Sequence, residues 1–207
     1  MSDRPKHRTP VTRKQLARAP EIVARNLIGS WLISTIGGEE VIGRVVETEA
    51  YLGPHDDASH AAARIGRTPR NEAMFGPPGT AYVYRSYGIH WCLNIVTSEV
   101  GFPAAVLIRA IQPVSGVVTM RRRRGRDESW PETSLGRGPG NLTVALGITG
   151  ELNGHPLDQP PLVLARGAGV RADCIAAGPR IGITRAVDWP LRFQLVGNPC
   201  VSRSRSS

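Results

Sequence analysis

The chemistry with the clearest physical demand sits at the end of one strand-like run. Residues Val41–Tyr51 read VIGRVVETEAY, so two acids and a tyrosine, Glu47, Glu49 and Tyr51, recur at every second position. In an extended strand such positions share a face, here the face of Val41 and Val45. A carboxylate on a core-directed face is costly unless it is paired with a cation or serves as a base. A solvated edge strand would remove that demand. Arg109 is the natural partner, because it stands inside AAVLIRAI, where an unpaired guanidinium is implausible. A Glu–Arg pair at a cleft can hold a water, the carboxylate taking its proton while the guanidinium fixes its position. The competing reading is a purely structural ion pair.

The aromatic residues supply a second pattern. All four tyrosines fall between positions 51 and 87, and three of them form Tyr82-x-Tyr84-x-x-Tyr87. On a strand Tyr82 and Tyr84 share a face, while Tyr87-Gly88 marks a turn. A ring at a hairpin tip is poorly placed for burial and well placed to wedge into a partner such as the minor groove of DNA. The rings behind it could stack on an extruded base, or could form a cross-strand cluster that stabilises the hairpin. Tyr82 fits the cluster better; Tyr84 and Tyr87 fit the functional role better.

Charge points to a polyanion. The 207 residues carry 26 Lys plus Arg against 17 Asp plus Glu, a formal net charge of +9. Only Lys6 and Lys14 are lysines, so residues 15–207 offer no side-chain amine for a Schiff base, and water is the better nucleophile. Cys92, Cys174 and Cys200 are far apart and odd in number, which suits reduced thiols and neither a zinc ribbon nor a disulfide scaffold. His60, in Asp56-Asp57-Ala58-Ser59-His60, lacks the H-x-E and cysteine partners of a zinc deaminase. It is a candidate hydrogen-bonding residue of a pocket. No metal or cofactor is expected. No apolar run is long enough for a membrane span, and the N-terminus does not read as a secretory signal. The expected location is cytoplasmic, associated with the nucleoid through DNA if the source is bacterial.

Around these residues the chain reads as strand-rich. A basic arm is expected over 1–14, one domain over 15–200 and a tail over 201–207. A helix should begin at Pro20 and end near Gly29. Residues 31–36 and Val41–Tyr51 should form a hairpin through Gly37-Gly38, and 81–87 with 89–97 a second one. Between them, 52–79 is a long Gly- and Pro-rich loop, a length that usually signals function or disorder. Residues 104–111 read as a buried strand. Ser115 is the expected cap of a helix reaching Arg124, and Pro139–Leu146 is a second short helix. The run Arg121, Arg122, Arg123, Arg124 and the helix start at Gly140 and Asn141 are candidate phosphate contacts, though a charge run is usually a solvated face. The last 55 residues suit short strands. The class is α+β around a mainly antiparallel sheet.

Four blocks, RVVETEAYLGPHDDASHA, RTPRNEAMFGPPGTAYVYRSYGIHWCLNIV, VLIRAIQPVSG and GPGNLTVALGI, resemble the alkyladenine (3-methyladenine) DNA glycosylases, and the likeness runs from about residue 16 into the 190s. It implies one compact mixed domain around a curved antiparallel sheet with a protruding β-hairpin. By the resemblance Glu49 is the catalytic base and Arg109 helps it hold the attacking water. Tyr87 enters the minor groove and fills the gap left by the flipped nucleotide. Tyr51, His60 and Tyr84 form the pocket for the extruded base. Asn94 disfavours the guanine 2-amino group, and Met74 falls near the hairpin. Ile89 and His90 depart from the family pattern of Met and an aromatic. The activity implied is hydrolysis of the glycosidic bond of a damaged purine flipped from double-stranded DNA, by a monomer without lyase activity. The alternatives are a non-catalytic module that binds damaged nucleic acid, and a nucleosidase acting on free nucleosides.

Overall fold

The computed structural model describes residues 8–59 and 66–202. The residues expected as an arm and a tail are thus described only in part. From Thr9 the chain is already paired to the body: Arg166 donates its amide to the Thr9 carbonyl, Pro10 bridges Ala165, and Val11 donates to Leu164. Helix α1 (Arg13–Leu16) follows, closed by a reciprocal cap between Thr12 and Gln15. Helix α2 (Pro20–Asn26) begins on its proline, with Glu21 in the first turn, and the chain leaves it through Gly29 at φ 91°.

Eight strands form the sheet: β1 (Trp31–Ser34), β2 (Val41–Tyr51), β3 (Ala81–Ser86), β4 (His90–Thr97), β5 (Ala104–Ser115), β6 (Leu162–Ala165), β7 (Ile175–Gly178) and β8 (Arg192–Leu195). The order is β3-β4-β5-β2-β1-β6, with β8 lying against Glu47, Thr48 and Glu49 of β2 and carrying β7 on its far side. Every pairing of these strands is antiparallel. With helices α3 (Val117–Arg123) and α4 (Pro139–Leu146), this is an open-sheet α+β domain. The main core lies between the sheet and α2 and α4: Val23, Leu27, Leu142 and Leu146 meet Leu93, Ile95, Val106 and Ile108, all but excluded from solvent.

Two expectations fail, each for a physical reason. Ser115 does not cap α3. Strand β5 runs on through Ser115, and Gly116, in left-handed geometry at φ 74°, precedes the helix. A side chain at Gly116 would bring its Cβ within 2.6 Å of the Glu40 carbonyl. The second failure concerns the acids. The β2–β5 pairing is irregular between Val45 and Thr48. Before it, Val41 and Val45 face the main core; after it, Ala50 does, and the Thr48 hydroxyl reaches the Ala24 carbonyl of α2 at 2.9 Å. Strand β5 switches too, from Val106 and Ile108 to Ile111. Strict alternation therefore breaks, and Glu47, Glu49 and Tyr51 turn to the face opposite Val41 and Val45, together with Arg109.

Candidate active site

That opposite face floors a cleft of about 1140 Å³, whose walls include Tyr51, Tyr84, Asn94, Arg109, Ile181 and, at its rim, Tyr87. Strands β2 and β5 run side by side, so Glu49 lies directly across from Leu107, and Arg109 falls at the irregularity beside Glu47. The Arg109 guanidinium spans both acids: Nε donates to Glu47 Oε1 at 3.1 Å, and Nη1 lies 3.2 Å from Glu49 Oε1.

The two carboxylates have different surroundings. Glu47 also receives Arg192 Nη1 at 3.1 Å, the Ser202 hydroxyl at 2.7 Å and the Ser202 amide at 2.7 Å. Glu47 thus holds two guanidiniums and both donors of Ser202, three of these contacts on Oε1, and it ties the tail's first residues and β8 to the sheet. Glu49 Oε1 takes the Ile181 amide at 2.7 Å beside Arg109, and Oε2 takes the Tyr51 hydroxyl at 3.0 Å. A carboxylate oxygen has two acceptor directions, so one on Oε2 is left over. Burial pushes the Glu49 carboxyl above the ordinary glutamate range, against Arg109, the Ile181 amide and the Tyr51 hydroxyl, which act to lower it. Glu49 has no exposed surface. Tyr51, Arg109 and Ile181, each in contact with Glu49, line the cleft beside it.

The hairpin of β3 and β4 forms one wall. Tyr82 is buried against Met74 and stacks on Tyr84, its neighbour on the same face of β3, with centroids 5.3 Å apart; the two rings are a same-strand pair, and their register partners across the hairpin are Asn94 and Cys92. Tyr84 lines the cleft opposite Cys92 on β4, and burial pushes its hydroxyl up; burial likewise pushes the Cys92 thiol up to about 11. Asn94 donates Nδ2 to the Tyr82 carbonyl at 3.2 Å, which fixes its amide at the cleft floor. At the tip, Tyr87 and Gly88 adopt φ values of 49° and 70°. Two left-handed residues suit the tight turn of a twisted hairpin. The backbone that displays Tyr87 is one a tyrosine rarely adopts. Its ring is 87% exposed, and Ile89 beside it is 75% exposed.

The candidate phosphate contacts are mostly engaged already. Asn141 donates to the Arg137 carbonyl at 2.6 Å and accepts from Arg124. Gly140 packs on His90 so closely that a Cβ would lie 2.7 Å from its ring. In the arginine run, Arg121 reaches Glu132, Arg122 pairs with Glu39, and Arg123 donates to the Ile36 carbonyl at 2.5 Å. The run fastens α3 to its neighbours. His60 lies outside the described residues. Among the described residues, no group of three or more His, Cys, Asp or Glu is placed to hold a metal, and no helix is long and apolar enough to cross a membrane.

The contacts around the two acids that sequence pattern misses are those of the Ile181 amide, Arg192 and Ser202, and with them the buried pair Asp56–Arg180. A backbone donor leaves no trace in residue type. Arg192 opens the short strand β8 and Ser202 follows a Gly- and Pro-broken apolar stretch, with no periodic signal that points either residue at β2. Asp56 and Arg180 carry one signal, an acid and an arginine in loops that meet only in three dimensions.

The sequence pattern of the methylpurine-DNA glycosylase family matches residues 14–199. A protein of Rhodopseudomonas palustris (strain HaA2) named "Putative 3-methyladenine DNA glycosylase" is 51% identical over 193 residues, 93% of this chain and 90% of that protein. Proteins of the same name from Nitrosospira multiformis and Agrobacterium fabrum are 51% and 50% identical over 182 residues, covering 87% of this chain and 88% and 86% of theirs. With nearly the whole chain matched and half its residues shared, the chain belongs to the methylpurine-DNA glycosylase family.

Proposed function

We propose that this protein is a monofunctional DNA glycosylase that flips an alkylated or deaminated purine out of duplex DNA and hydrolyses its N-glycosidic bond. The observation that carries this reading is the pairing of Glu49 with Arg109 beneath an aromatic cleft whose rim displays Tyr87. A ring as exposed as Tyr87 has nothing to stabilise in the free protein. Inserted into the minor groove, it would occupy the space of the extruded nucleotide. The base would then lie between Tyr51 and Tyr84, with Asn94 against its edge.

Alkylation at N3 or N7 makes a purine cationic and a good leaving group. The C1′–N9 bond breaks with its electron pair going to the purine, and a water oxygen bonds to C1′. The water's proton passes to Glu49, through the acceptor direction left on Oε2. The negative carboxylate also favours the oxocarbenium-like state. The raised affinity of Glu49 for a proton makes it a stronger base than an exposed glutamate. Arg109 holds the carboxylate in place. The reading requires that lesion binding shift Tyr51 or Ile181 by a water's width, since both contact Glu49, which has no exposed surface in the free protein. No lysine occurs after position 14, and among the described residues none that lines the cleft carries a side-chain amine for strand cleavage.

The test is a duplex carrying one hypoxanthine or ethenoadenine, incubated with the protein and then heated in alkali. The reading expects strand scission at the lesion after alkali and none without it. Intact strands after alkali for every lesion would leave a binding module as the better account. Scission without alkali would contradict the monofunctional assignment.

A further inference from the structure

A second buried ion pair lies beneath the cleft, and the reaction above makes no use of it. Asp56 and Arg180 have no exposed side-chain surface and meet at two points, Nη1 to Oδ2 at 2.5 Å and Nη2 to Oδ1 at 2.8 Å. Asp56 also accepts the amides of Leu52 and Ala58, both at 3.1 Å, so it shapes the loop that leaves β2. Arg180 donates again to the Ala50 carbonyl at 2.9 Å, between Glu49 and Tyr51 in the chain. Its guanidinium carbon stands 4.8 Å from the centroid of the Tyr51 ring. The next residue, Ile181, gives its amide to Glu49.

Stability does not explain this arrangement. A buried ion pair repays its desolvation only with excellent geometry and full hydrogen bonding, and apolar replacements of like volume are often neutral or stabilising. Here Arg180 Nε is buried with no hydrogen-bond partner among the described residues. The guanidinium's position is instead fixed by what it touches: the backbone beside the base, the underside of the stacking ring, and the residue that donates to Glu49.

We propose that Asp56 and Arg180 are a positioning pair that sets the plane of the Tyr51 ring and the Ile181 amide together, and so leaves Glu49 with only Oε2 to offer water. The pair rests on the reading of Glu49 as the base. The two-point contact stops the guanidinium from rotating, so the ring packed on it presents a fixed face to an extruded base. Asp56 also cancels the charge of Arg180. A bare cation behind the Tyr51 ring would repel a cationic purine stacked in front of it.

The decisive variant is the double replacement Asp56→Leu with Arg180→Met, which removes both charges and keeps apolar bulk. It is compared with wild type by thermal melting, by duplex affinity and by single-turnover excision across pH. The expected result is a protein that still melts above the assay temperature, below wild type because the Leu52 and Ala58 amides lose Asp56, with a rate constant lower by about a hundredfold, the scale of a misplaced reacting group. The acid limb of the rate profile should also rise, since Glu49 loses the Ile181 amide while Arg109, Glu47, Tyr51, Tyr84 and Cys92 stay around it. A stable double variant that excises at the wild-type rate overturns the proposal. If the double variant does not fold, Arg180→Lys decides: it keeps the charge and loses the planar two-point contact. A folded Arg180→Lys protein with the wild-type rate and limb overturns the proposal, and a slowed one with a raised limb supports it. Wild-type protein that excises nothing would instead defeat the functional reading, so the two failures are distinguishable.

Discussion

Arg109→Met gives the sharpest separation between a structural ion pair and a catalytic one. The Arg109 guanidinium contacts both buried acids, but the acids depend on it unequally. Glu47 keeps Arg192 and both donors of Ser202, whereas Glu49 keeps the Ile181 amide and the Tyr51 hydroxyl, neither of them charged. At 3.2 Å, an attraction screened by an effective dielectric of about 20 amounts to roughly 5 kcal/mol before desolvation offsets it. Opposite charges this close typically lower a carboxyl pKa by about 1–3. Burial already raises Glu49, so losing Arg109 should raise it further. The base must be ionised to act, so the acid limb moves to higher pH. At a fixed pH below the limb, the rate falls about tenfold for each pH unit that the limb has moved. Single-turnover excision across pH reads this directly. Removing one partner of a buried pair also costs about 3–5 kcal/mol of stability, so rates are taken below the onset of melting. Arg192→Met is the control, because the guanidinium it removes bonds the Glu47 carboxylate, while the backbone pairing of Arg192 beside Glu49 stays. An acid limb unmoved in Arg109→Met, or moved as far in Arg192→Met, would refute the reasoning.

Further outcomes follow from the same geometry. Tyr87→Gly should hold or raise the melting temperature, since a left-handed non-glycine residue costs on the order of 1 kcal/mol or more, yet it should slow excision from paired duplex more than it weakens binding to undamaged DNA. Equal losses on both would remove the wedge. Affinity for duplex should fall as salt rises, with a negative slope of log K on log salt, because a chain of net charge +9 displaces counterions; a flat titration would contradict phosphate contact.

The sequence is most legible in the bounds of elements, where Gly, Pro and turn residues punctuate the chain. Val41–Tyr51 and Pro139–Leu146 form elements with the bounds expected, and both hairpins turn at their expected glycines. Strand β5 outruns its apolar stretch by four residues, because Gln112, Pro113 and Ser115 pair with β2 despite their types. The acids fall on the face opposite to the one expected because one irregularity in the β2–β5 ladder reverses alternation, and no residue type announces it. The Glu–Arg partnership survives that reversal, since the demand of a buried guanidinium for a carboxylate holds on either face. Which of the two acids depends on Arg109 as its one charged partner is not legible in sequence. That depends on the Ile181 amide, Arg192 and Ser202, supplied by segments over 130 positions away in the chain.

The most direct measurement is single-turnover excision by Glu49→Gln from a duplex with one ethenoadenine, with affinity for the same duplex measured alongside. The amide keeps the volume and an acceptor oxygen but cannot take a proton from water. The account predicts a protein that folds, binds the lesion duplex about as tightly as wild type, and releases no base. Base release at the wild-type rate would contradict it.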